Sequence, residues 1–349
     1  MTRDELLQLL KDGEPVQKAY LAEADLAGLD LGGATMEGVS FRGADLRGAR
    51  LKESLFSDCD FSGAKLDGAN LHHATFHQCD LSGVRLTQAN LTLAKLVESN
   101  ATEADFRGAT TAVLSLVDCD AEGANFAETF LDRTNFVKTR LQRVNLRKAQ
   151  LLRTNVLETD LRTVDFEGAT LDKAVFHKVT LAGRSLVGLD LRMTQLMEAD
   201  LSGCDLSGCL LDNSNFKGSE LSGARFDGAS AKSVLFVEAR MHKTSLKGAD
   251  LTQSILVDAQ PIGANFAGAK LYQTTWHRAQ CVGALFADSD LTYADFSWAQ
   301  LGGADFRGAT LFRTRFHQTK EDGTLFTHRT LALGDDEELA KAENFRSPH

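Results

Sequence analysis

From Phe41 to Leu71 the chain reads FRGADLRGARLKESLFSDCDFSGAKLDGANL, with a large apolar residue at every fifth position. The same phase runs from Leu21 to Leu331 with no shift of register. A smaller residue lies two positions before each of these centres, as Ala44, Ala49, Ser54, Cys59, Ala64 and Ala69. A period of five matches neither the 3.6 of an α-helix nor the 2 of a plain strand. It predicts a chain that turns a corner every five residues and points one large and one small side chain inward on each side.

Sorting the centres in blocks of twenty shows how many sides there are. The set that begins at Leu31 is Leu almost throughout and holds no Phe; its exceptions are Thr111 and Ala231. The set that begins at Met36 holds Phe56, Phe76, Phe136, Phe176, Phe216, Phe236, Phe296, Phe316 and Trp276. The set from Leu26 carries further Phe, from Phe106 to Phe326. Most of the 29 glycines lie two residues after the centre on only two sets, as Gly28, Gly48 and Gly68 or Gly43, Gly63 and Gly83. Repetition in fives alone does not produce this sorting; four sides per coil does. The glycines predict corners at positive φ, and the two corners without them predict a different turn. With coils one strand spacing apart, about fifteen coils stack into a rod of roughly 75 Å. The expected organisation is a capping helix in 1–18, a β-helix over 19–333 and a tail with a short helix in 334–349.

The segment 2–11 predicts a short helix, with Thr2 and Glu5 as a capping box and Leu6, Leu7, Leu9 and Leu10 as its apolar face. It reads as a cover over the open end of the solenoid, with a docking helix as the other reading. In the tail, DDEELAKAENF places acidic residues in the first turn of a second helix, with Leu339, Ala342 and Phe345 as a sparse apolar face. It reads as a second cap or as a dimerisation element.

The pattern A-(D/N)-(L/F)-x-x, present as Ala44-Asp45-Leu46-Arg47-Gly48, Ala69-Asn70-Leu71 and Ala304-Asp305-Phe306-Arg307-Gly308, resembles the pentapeptide-repeat family. The resemblance implies an all-β solenoid, a right-handed quadrilateral β-helix with four repeats per coil. It also implies a non-enzymatic, mostly bacterial protein. Some members of the family resemble DNA in shape and charge and bind and protect DNA gyrase; others accompany secretion systems. Members that protect topoisomerases tend to be shorter, dimeric through a C-terminal helix and interrupted by loops, and this chain has no loop insertion.

Charge and chemistry narrow the functional classes. The net charge of −10 argues against general binding to nucleic acid or an anionic membrane. No apolar run approaches the length of a membrane span, and the acidic N-terminus does not read as a secretory signal. Six cysteines at irregular spacings read as reduced thiols of a cytoplasmic protein. Cys59, Cys79 and Cys119 share one inward column; coil spacing permits a Cys59–Cys79 disulfide, and small buried fillers are the simpler reading. His72, His73 and His77 are divided by a corner and read as surface residues, so no metal or cofactor is expected. Arg184 falls in an inward small-residue slot, where a charge is costly unless paired.

Two surface features stand out. On the Met36 side, the position after the centre should face solvent, yet it carries Val97, Val117, Val137, Leu157, Met197, Val237 and Val257. The preceding outward column adds Leu55, Val175, Leu235 and Ile255. This stripe reads as a protein-binding or self-association surface, or as bare sheet surface that suits β-branched residues. The second feature is a basic belt of Arg133, Lys138, Arg140, Arg143, Arg147, Lys148 and Arg153, which circles the coils without lining one face. The leading expectation is a scaffold or adaptor that binds protein, in a setting such as a bacterial secretion accessory. The alternative is a DNA-mimicking modulator of a type II topoisomerase.

Overall fold

Each five-residue segment becomes one side of a coil, and residues twenty apart stack in register. The computed structural model describes residues 1–343. The chain divides into two compact units, Met1–Thr180 and Leu181–His349. In both, a parallel β-solenoid places the same position of each coil directly over the last, as in Phe56↔Phe76 in the first unit and Leu235↔Ile255 in the second.

The core is two interleaved columns of rings and aliphatics. In the first unit Phe41 stacks on Phe61 at 4.7 Å, and Phe56 on Phe76 at 5.0 Å. In the second, Phe266, Phe286 and Phe306 form one stack, while Trp276 lies flat on Phe296 at 5.0 Å. The indole fits because its Nε1–H donates to Thr274 Oγ1 at 2.8 Å. Hydroxyls in the small slots donate to a centre's carbonyl in the previous coil, as Ser54 to Leu31 at 2.7 Å and Thr244 to Leu221 at 2.8 Å. The Asp or Asn before each centre accepts the backbone N–H two residues on, as Asp60 from Ser62 at 2.9 Å and Asp200 from Ser202 at 3.0 Å. That local bond favours the bend and accounts for the recurrent acid or amide in the repeat.

The corners depart from the expectation of two turn types sorted by glycine. All four corners take positive φ, including those without glycine: Glu53 lies at 60°, Asp58 at 52°, His73 at 59° and Gln78 at 53°. The reason is stacking. Only this conformation aims the corner N–H at the next coil, as Glu53 N–H to His72 O at 2.9 Å and Gln78 N–H to Val97 O at 3.0 Å. The left-handed geometry costs about 1–2 kcal/mol for an ordinary residue, and the hydrogen bond it completes offsets that cost.

A real difference between corners lies elsewhere. At three of them the N–H three residues past the centre closes onto the centre's carbonyl, as Ala44 to Phe41 at 2.9 Å, Ala49 to Leu46 at 3.0 Å and Ser54 to Leu51 at 3.3 Å. On the Met36 side of the first unit this bond is missing among the described residues. There the chain stays extended as β2 (Thr35–Glu37), β3 (Leu55–Ser57), β4 (Thr75–His77), β5 (Lys95–Val97), β6 (Ser115–Val117), β7 (Asn135–Val137), β8 (Asn155–Leu157) and β9 (Val175–His177). With β1 (Val16–Gln17) they form a parallel sheet of nine strands in chain order.

In the second unit the same corner is closed, as Ala239 to Phe236 at 3.0 Å and Ala279 to Trp276 at 2.9 Å. The slot residue differs between the units but does not by itself decide the switch. It is Ala19, Val39, Cys59, Cys79, Ser99, Cys119, Thr139, Thr159 and Val179 in the first unit, and Ala199, Ser219, Ala239, Ala259, Ala279, Ala299 and Thr319 in the second; Ser219 closes its corner onto Phe216 at 3.1 Å, which Ser99 does not do onto Leu96. At the open corners polar slot atoms reach carbonyls of the same side: Cys119 Sγ donates to Leu96 and Val117, and Thr139 Oγ1 to Leu116 at 3.0 Å. Among the described residues the second unit has only the pair β10 (Asp305–Phe306) and β11 (Leu325–Phe326).

Helices stand at the two chain ends. In α1 (Arg3–Lys11) the capping box forms as the sequence predicts, and Leu6 is fully buried. At the other end the apolar beat fails: Leu331 is 54% exposed and does not enter the core. Instead the Arg329 guanidinium lies 4.4 Å over the Phe316 ring and pairs with Glu321 at 2.9 Å. The last helix, α2 (Glu337–Glu343), packs beside the Met36 side and buries His317, which the column pattern had placed in solvent. The Asp336 N–H donates to His317 Nδ1 at 3.1 Å, so the ring proton sits on Nε2 and faces Glu343 at the same distance. Phe345, assigned to that helix's apolar face, lies outside the described residues.

Candidate functional site

The open corner is what lets the Met36 side of the first unit carry a regular surface. Strands β5 to β8 bring Val97, Val117, Val137 and Leu157 into consecutive register, with His77 before them and His177 after. The four are half-buried, where solvent exposure is the expectation, because rungs at strand spacing cover one another's flanks. Lys95, Ser115, Asn135 and Asn155 border the ladder on one edge, and the corner residues Glu98, Asp118, Lys138 and Glu158 border it on the other. Apolar surface also turns the preceding corner through Leu93 and Val113, at φ 61° and 59°. A β-branched residue with positive φ is a backbone outlier. These two were legible as apolar residues in a polar corner column, and the reading of the stripe passed them over.

In the second unit the stripe residues form a separate patch. Leu235 and Ile255 pair directly, and Val237 and Val257 stand two residues on in the same coils. Lys217 divides this quartet from Met197, and His277 follows it. The apolar residues of the patch are half-buried and Lys217 is exposed.

The basic belt is largely neutralised. Arg140 reaches Asp120 at 2.7 Å and also Glu122, and Arg143 reaches Glu122 at 3.0 Å. Arg147 pairs with Asp165 and Glu167, and Lys148 with Glu128 at 3.6 Å. Asp132 sits between Arg133 at 3.0 Å and Arg153 at 2.8 Å. Lys138 alone of the belt has no ion pair among the described residues. The acidic surface is similarly engaged. Asp45 is clamped by Arg47, whose hydrogen bonds hold its pKa at about 2. Arg107, Arg162, Arg192 and Arg307 clamp and lower Asp105, Asp160, Asp190 and Asp305 in the same way.

The cysteines are buried and free. Burial raises the Cys119 and Cys204 thiols to about 11, which keeps them protonated and poor nucleophiles. Among the described residues no three His, Cys, Asp or Glu side chains converge as metal ligands, and no helix is long and apolar enough to cross a membrane. Arg184 is half-buried in its slot.

One exposed group escaped the sequence reading altogether. On the second unit Tyr272, Tyr293 and Phe312 meet edge to face in successive coils at 5.8 and 5.9 Å, with Phe312 49% exposed. Its signal was aromatic residues in the outward column and corner of the Leu31 side, which carry polar residues in most coils.

A family model described as "Pentapeptide repeat region" matches residues 49–126. A second, "Pentapeptide repeats (8 copies)", matches 19–58, 115–151, 194–230, 244–275 and 279–318. No curated protein matches the chain significantly. Among solved structures, trypsin-treated QnrB1, a plasmid-mediated fluoroquinolone resistance protein, is 22% identical over 61% of this chain and 91% of its own, with a TM-score of 0.38. HetL, a pentapeptide repeat protein involved in heterocyst differentiation regulation from the cyanobacterium Nostoc sp. strain PCC 7120, is 22% identical over 96% and 94%, with a TM-score of 0.16. A pentapeptide repeat protein of the Arabidopsis thaliana thylakoid lumen is 25% identical over 37% and 70%, with a TM-score of 0.15.

Proposed function

The chain belongs to the pentapeptide-repeat family, and on that premise we propose that it is a non-enzymatic scaffold that binds protein through the aliphatic patches of its Met36 side. The observation that carries this reading is the ladder Val97–Val117–Val137–Leu157, four consecutive aliphatic rungs in register. A rigid sheet that presents contiguous apolar surface loses little conformational entropy when a partner covers it. Replacing Val117 and Val137 together by Lys, and Val237 by Lys in a separate variant, places charge in each patch without touching the core. Melting temperatures should stay near that of the parent, while capture of partners from the native cell is lost for the variant whose patch is used. Unchanged capture by both variants would remove the patches from consideration as the binding surface.

A second reading, modulation of a type II topoisomerase by imitation of DNA, draws on the net charge of −10. The arginine clamps weigh against it, because a carboxylate held by the guanidinium two residues away presents less of a phosphate-like charge. A gyrase supercoiling assay at micromolar protein separates the readings: unchanged supercoiling is expected, and inhibition or protection would favour the mimic.

A further inference from the structure

Resting on the protein-binding reading, we propose that the Met36 side of the first unit is a self-complementary interface whose occupant is a second copy of this chain. The argument is one of symmetry and charge. The ladder has an even number of rungs, so its midpoint falls between Val117 and Val137. A two-fold axis lying in the plane of the face at that midpoint, across the stacking direction, sets two copies antiparallel. It places Val117 opposite Val137 of the second copy and Val97 opposite Leu157, so that all four rungs meet aliphatic partners. An interface of this kind must be complementary to itself.

The corner column satisfies that requirement at its centre. Asp118 and Lys138 flank the midpoint on one edge, both exposed and of opposite sign. The same axis brings each against the other's counterpart, giving two symmetric ion pairs. Neither side chain makes an ion pair or hydrogen bond among the described residues, although nearly every neighbouring charge of the belt is engaged. The outer position sets Glu98, which accepts from Gln78 Nε2–H at 2.9 Å, against Glu158, a like-charged pair at the rim that weakens the contact.

The size of the face sets the strength of the contact. Strands β2 to β9 at about 4.8 Å spacing, on a side about 10 Å wide, offer about 400 Å² per copy. That is about half of a standard stable interface, so the association is weak and concentration-dependent.

Analytical ultracentrifugation of the full chain from about 1 µM to about 1 mM tests the proposal. The parent mass should rise toward twice the monomer. Asp118→Lys alone and Lys138→Asp alone each set like charges against each other twice and should weaken association about tenfold. An equimolar mixture of the two variants restores both pairs across a heterodimer and should recover the parent behaviour, while circular dichroism confirms that each is folded. A parent that stays monomeric at the highest concentration overturns self-association and leaves the protein-binding reading to the Val→Lys capture experiment. A dimer indifferent to the single reversals, or a mixture that does not recover, overturns this face and register.

Discussion

Phe61→Ala should destabilise the first unit by about 3–5 kcal/mol, the cost of truncating a buried ring whose cavity cannot collapse. Phe61 is fully buried, stacked on Phe41 at 4.7 Å and set edge-on to Phe56 at 5.0 Å and Phe76 at 5.4 Å. The coils above and below are tied to it by backbone hydrogen bonds, such as Phe61 N–H to Asp80 O at 2.6 Å, and have little room to close in. Phe61→Leu, which keeps most of the volume, should cost much less. Urea unfolding followed by two probes shows where the loss is felt. Both tryptophans, Trp276 and Trp298, lie in the second unit, so their emission reports on it alone, while far-ultraviolet circular dichroism reports on both. In a solenoid each coil contacts only its neighbours. The dichroism transition should therefore move to lower urea while the emission transition moves less. Equal movement of the two would show that the units unfold as one.

Val113→Asn should act in the opposite sense and stabilise the protein by about 1 kcal/mol. Val113 sits at φ 59°, where a β-branched side chain is strained by about 1–2 kcal/mol. Asn tolerates that region, and Asn213 occupies the same corner column at φ 61°. The substitution keeps the backbone N–H that bonds Asp132 O at 2.9 Å and gives up only half-buried apolar surface. Val117→Asn serves as the control: Val117 is on the extended strand β6, where Val is favoured, so no gain should appear. A drop in denaturation midpoint for Val113→Asn would show that Val113 contributes more through packing than it loses through strain.

The helical cap at the N-terminus was readable because its signals are local: Thr2 and Glu5 are three residues apart, and Leu6 follows at once. The open corner was not legible: its slot holds mostly Cys, Ser, Thr and Val in the first unit and mostly Ala in the second, yet Ser99 and Ser219 fall on opposite sides of the switch. Those residues look alike as small inward fillers, and only the backbone geometry shows which corners close. The stripe residues could be listed by number from the pattern alone. Their half-burial could not, since it depends on rungs twenty residues away.

What the sequence by itself determined is the periodic part: the five-residue side, the twenty-residue coil, the inward Leu and Phe columns and the family. Those follow from covalent spacing, because a residue's position modulo twenty decides which side it occupies. The tertiary structure alone decided how the surface charges are spent, that Arg329 covers the last rings, that His317 is buried beneath α2, and that Asp118 and Lys138 remain unengaged among the described residues. These depend on which rotamer a long side chain takes and on which neighbour in another coil it reaches, and no local pattern encodes that choice.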